Sequence, residues 1–146
     1  MSQLDPQEAR ILEITGDENQ VTFAEAREKF FTHLKRCLEF PCLVTGIEDF
    51  RWEERYVIGN GDREEYKLLC KTRPSYRDIF ELLRLRIGGV DTTWIMFERK
   101  DIAVCVRRKS DGKLFYLGLS ELVAVDKSSK NYQLIDDYGT WFGSNL

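Results

Sequence analysis

The chain has one histidine, His33, and its four cysteines, Cys37, Cys42, Cys70 and Cys105, include no C-x-x-C pair. A structural zinc site would therefore have to be assembled from distant elements, and reduced, mostly buried thiols are expected instead. No apolar run approaches the roughly 18 residues of a membrane span. Residues Met1 to Pro6 lack the basic start and apolar core of a signal peptide, so a cytoplasmic protein without membrane association is expected. Charge of one sign is lacking too. With 22 basic and 25 acidic side chains the net charge is −3, which gives no global field to attract nucleic acid. The G-x-S-x-G, P-loop, G-x-G-x-x-G and H-E-x-x-H motifs are all absent, so catalysis is not expected.

What is present suits one packed domain: 146 residues, 42% hydrophobic and 12% aromatic. Asp5-Pro6-Gln7-Glu8 opens a short helix to about Ile14, and residues 16–20 read as a polar linker, making 1–20 an extension to a core of 21–146. Thr22-Phe23-Ala24-Glu25 is a capping box. The helix it opens, Phe23 to Leu38, places Phe23, Ala26, Phe30, Leu34, Cys37 and Leu38 on one stripe. Phe40 precedes Pro41, which ends the helix and lets an extended run, Cys42 to Ile47, begin.

Trp52 to Ile58 reads as a strand, Asp62 to Cys70 as a short helix capped by Asp62, and Asp78 to Leu82 as helix or strand. Strands are expected at Leu83–Ile87, Thr93–Phe97 and Ile102–Arg108, then after a Ser110-Asp111-Gly112 turn at Lys113–Leu119, and at Leu122–Val125. Ser128 or Ser129 caps a last helix carrying Leu134, Ile135, Tyr138, Trp141 and Phe142. The fold class is α+β: N-terminal helices, a small antiparallel SH3-like β-barrel or, alternatively, an open curved sheet, and a C-terminal helix.

The segment from Glu48 to Glu65 gathers Glu48, Asp49, Glu53, Glu54, Asp62, Glu64 and Glu65 just outside the helix-to-strand corner. Closely spaced carboxylates with backbone carbonyls suit a hard cation such as calcium, although the EF-hand pattern is absent and interleaved arginines also allow a solvated charged surface. Glu53 and Glu54 are expected on that surface, where their loss would not unfold the domain. Asp136 and Asp137 are neighbours on a helix, so both cannot face one small ion, and one is expected to turn toward Lys127, Lys130 or an arginine of the sheet. His33 and Cys37 lie four residues apart on one helix, and a structural cysteine beside a boundary histidine outweighs a reactive pair. Arg99, Lys100, Arg107, Arg108, Lys109 and Lys113 cluster near the hairpin, either as the polar outside of an edge strand or as a phosphate-binding face.

Three segments carry a resemblance: Leu34-Lys35-Arg36-Cys37-Leu38-Glu39-Phe40-Pro41, Leu117-Gly118-Leu119-Ser120-Glu121-Leu122, and Gln133-Leu134-Ile135-Asp136-Asp137-Tyr138-Gly139-Thr140-Trp141-Phe142. Their order resembles that of a small bacterial family of acidic, calcium-binding proteins first recognised in cyanobacteria and linked to calcium buffering. The resemblance implies that family's fold and calcium as a bound ion, with Glu48, Asp49, Glu53, Glu54 and Asp137 as candidate ligands. The other reading is a non-enzymatic adaptor or immunity-type module, in which the acidic segment with Trp52 and Tyr56 docks a basic protein partner.

Overall fold

Thr22 starts the helix on which the rest is built. Its hydroxyl accepts from the Glu25 N–H (3.1 Å) and the Glu25 carboxylate accepts from the Thr22 N–H (3.0 Å), which satisfies two of the donors a helix start leaves open. In the computed structural model, which describes residues 4–17, 19–86 and 101–145, this helix, α2, spans Phe23–Cys37 and follows α1, Pro6–Thr15. Ala26, Phe30 and Leu34 of α2 are buried against a five-stranded antiparallel sheet.

The strands are β1 Cys42–Gly46, β2 Ile79–Arg86, β3 Ala103–Arg108, β4 Leu114–Gly118 and β5 Leu122–Ala124. Their order is β4-β3-β2-β1-β5. A 3-10 turn, Arg51–Glu53, and two short helices, α3 Glu54–Val57 and α4 Arg63–Leu69, fill the connection from β1 to β2. A second 3-10 turn, Leu119–Glu121, joins β4 to β5, and α5, Lys130–Ser144, follows, capped by Ser129. No helix among the described residues is long and apolar enough to cross a membrane.

Alternation along the strands sends Val44, Phe80, Leu82, Val104, Val106 and Leu117 into one core with α2 and α5. There Phe30 meets Tyr138 edge-on with ring centroids 5.5 Å apart, and Phe23 stacks on Trp141 at 4.9 Å. The helix-to-strand corner is held from α5, whose Asn131 side chain accepts from the Glu39 N–H (3.0 Å) and donates to the Glu39 carbonyl (2.9 Å).

Three expectations change. The sheet is open, with β4 and β5 at opposite edges, so the curved-sheet alternative holds and a closed barrel is not formed. Trp52 to Ile58 is not a strand: Trp52, Glu53 and Tyr56 turn inward at a helix-like spacing. Asp78 to Leu82 resolves as extended, because β2 begins at Ile79, and a register shift between Leu82 and Arg84 separates it from the alternating run seen in the sequence. The strand expected at Thr93–Phe97 lies outside the described residues, as do Ile87, Arg99 and Lys100.

Candidate metal centre

The acidic segment does not act as one unit, because the structure gives its carboxylates different tasks. Glu53 ends the first 3-10 turn and is 0% exposed. One of its oxygens accepts from the Phe50 N–H (3.3 Å) and the Tyr76 N–H (2.8 Å), the other from the Tyr66 hydroxyl (2.6 Å) and the Ser75 hydroxyl (2.7 Å). Burial, with the bond to Glu53 second, pushes the Tyr66 phenol well above its ordinary range. Glu53 is thus a buried hub that ties 50–53 to 66 and 75–76, which corrects its expected place on the surface. Glu54, the next residue, is exposed.

Asp137 is likewise committed. It is 2% exposed and receives two bonds from the Arg10 guanidinium, at 2.9 and 3.0 Å, and one from the Gln7 amide at 3.0 Å, while Asp136 takes a second bond from Gln7 at 2.9 Å. The aspartate does find an arginine, but from α1 rather than from the sheet. A cleft of about 740 Å³ runs beside this pair between α1, α2 and α5, and His33 lines it. Burial lowers the His33 pKa, with nearby Arg36 adding to the effect. The His33 Nδ1 lies 3.9 Å from the Cys37 sulfur.

Glu48 and Asp49 are placed differently. They lie on the loop leaving β1, exposed and half-exposed, and neither carboxylate has a hydrogen-bond or ion-pair partner among the described residues. Both line a groove of about 270 Å³ whose other walls are Ser120 and Glu121 of the second 3-10 turn and Gly139, Phe142 and Gly143 of α5. The two glycines leave open space on the helix face. The structure brings together Glu48 and Asp49 of the expected set, adds Glu121, and leaves Glu53 and Asp137 engaged elsewhere. Among the described residues no group of three or more His, Cys, Asp or Glu side chains has the geometry of a formed metal cage.

Of the two aromatic residues expected to dock a partner, Tyr56 is 3% exposed and donates to Glu65 (2.8 Å). Trp52 is half-buried, with its indole N–H on the Pro74 carbonyl at 2.7 Å. Both pack with Tyr66. Arg108, expected on the outer strand or on phosphate, is 3% exposed on a strand paired on both sides. Its guanidinium donates to the carbonyls of Cys70, Lys71 and Arg73 and to the carboxylates of Asp78 and Asp111, at 2.8–3.0 Å. The bonds from Arg108 hold Asp111 down to a pKa of about 2.

These elements define an α+β protein with an open five-stranded antiparallel sheet covered by two long helices, and with an acidic groove at one end of α5. No family model and no curated protein sequence matches the chain. Solved structures do share its fold along nearly its whole length. The crystal structure of CcbP from Anabaena matches with a TM-score of 0.57 at 21% identity, over 97% of this chain and 92% of that one. A calcium-binding protein in its calcium-binding form matches with a TM-score of 0.58 at 20% identity, over 100% of this chain and 98% of that one. Identities at this level establish a common fold.

Proposed function

We propose that this protein binds calcium and buffers it, through carboxylates arranged outside any EF-hand, with binding rather than catalysis as its task. The reading is carried by its similarity, over the full chain, to a protein solved in its calcium-binding form. Within this chain Glu48 and Asp49 are the ligands proposed, because their carboxylates are uncommitted among the described residues and face a common groove. Calcium takes about six to eight oxygens in a flexible shell, so loop carbonyls and water would complete what two carboxylates begin. Glu54, exposed further along the same segment, is a further candidate. Glu53 and Asp137 would have to surrender the bonds that hold the fold before either could ligate.

Calorimetric titration of the chelator-treated protein with calcium tests the reading. Glu48→Gln combined with Asp49→Asn is expected to weaken binding by about tenfold or more, since affinity follows the number of charged ligands, while the melting temperature of the metal-free protein stays close to wild type. Unchanged affinity in the double variant would remove the groove as the site. Absence of saturable binding in the wild type would remove calcium altogether.

A further inference from the structure

Asp101 stands where three elements meet. One carboxylate oxygen accepts from the Ile102 N–H (2.8 Å) at the entry to β3 and from the Tyr138 hydroxyl (2.6 Å) of α5. The other accepts from the Ser120 hydroxyl (2.6 Å) in the 3-10 turn, and the Ser120 N–H reaches both oxygens, at 3.3 and 3.2 Å. The residue is 5% exposed, and among the described residues no lysine or arginine pairs with it. β4 contributes Gly118, which must lack a side chain here because a Cβ would collide with the Asp101 carboxylate.

Among the described residues, the charges that face this carboxyl do not pair with it. From the turn, the Glu121 carboxylate comes up to the same glycine, 3.5 Å from where a Cβ would stand. α5 offers the Tyr138 phenol, and α2 offers Arg27, whose charge is felt at Tyr138. A buried carboxylate with four neutral donors and, among the described residues, no direct cation is costly to keep ionised.

We propose that Asp101 is a proton-operated latch, which holds the turn Leu119–Glu121 against β3 and α5 more firmly when protonated than when ionised. The step is a proton passing from solvent to a carboxylate oxygen, with the Ser120 hydroxyl turning from donor to acceptor. Burial already pushes Asp101 up to about 6, although its hydrogen bonds favour the charged form. An opened turn would return the carboxyl to water and to the ordinary range near 4. The closed turn therefore binds the proton more tightly, and acidification closes it by mass action. Because Ser120 and Glu121 form one wall of the acidic groove, the latch sets how firmly that wall stands. It operates whether or not a cation binds there.

Amide hydrogen exchange of the metal-free protein, read by NMR and corrected for intrinsic rates, tests the latch at Ser120 and Ile102. Opening is expected to fall roughly tenfold from about pH 7 to about pH 5, and to lose this dependence in Asp101→Asn. PH-independent opening in the wild type, or the same dependence retained in Asp101→Asn, would overturn the proposal. Should that variant not fold, the carboxyl carbon of Asp101 in the wild type decides the matter. A titration midpoint near 6 supports the latch, and one at about 4 or below overturns it.

Discussion

Two oxygens of Glu53 hold four donors, two of them backbone N–H groups, at a position with no exposure. Removing the carboxylate would strand all four in the interior, so Glu53→Ala is expected to cost roughly 3–5 kcal/mol. Glu53→Gln keeps an oxygen for the two N–H groups and offers an amide to Tyr66 and Ser75, whose hydroxyls can accept as well as donate. It should recover more than half of that loss in urea titrations. Equal losses for the two variants would mean that packing, not hydrogen bonding, explains the position. Residue-scale facts of this kind were hidden in the sequence. Glu53 sits among charges that mostly face water, Arg108 beside Arg107 and Lys109, and Asp101 after Lys100. Which of these charged groups turns inward is decided by chain segments many positions away.

At the scale of elements, local chemistry speaks more plainly. The capping box Thr22 to Glu25, the proline at the start of α1 and the Asp62 cap of α4 were legible and are present, because each is complete within one turn of helix. Thr22→Ala is expected to cost about 1 kcal/mol, measured by chemical denaturation, and Thr22→Ser to be nearly neutral. The segment Trp52 to Ile58 was misread because its inward residues include a glutamate. With Glu53 counted as polar, Trp52 and Tyr56 alone leave the period open, because residues four apart share a face on a strand as well as on a helix, whereas Glu53 and Tyr56, three apart and both buried, share one only on a helix. The bulge in β2 shifts the register in mid-strand, so the sequence alternation is clean only from Leu83 onward. Glu48 and Asp49 were legible as candidates, whereas the other wall of their groove was not, since Glu121, Gly139 and Gly143 arrive from the far end of the chain.

The whole molecule sums opposing titrations. The folded pKa of Asp101 is raised, so its contribution to stability grows as pH falls through about 6 and is complete below about 4. His33 is lowered in the fold, so its contribution is present above its ordinary value near 6.5 and is lost as pH falls. Asp111 is lowered as well, and its contribution disappears as pH drops from about 4 toward about 2. Calorimetric melting should therefore show a smaller rise for the wild type from about pH 7 to about pH 5 than Asp101 alone would give, and a decline below about pH 4. In His33→Gln the rise over the first interval should be larger than in the wild type, and a smaller rise or a fall there would reverse the signs assigned. At this scale the α+β class was legible from the order of the elements, while the choice between barrel and open sheet was not, because strand patterns do not say which edges meet. One contact also bears on time. α1 packs against α2, the next helix, as well as against α5, so during synthesis it has a surface to dock on early, whereas Gln7 and Arg10 must wait for Asp137, 130 and 127 residues further along. That helix can therefore settle on its neighbour while its clasp to α5 is still unmade, and the clasp closes only when α5 has emerged.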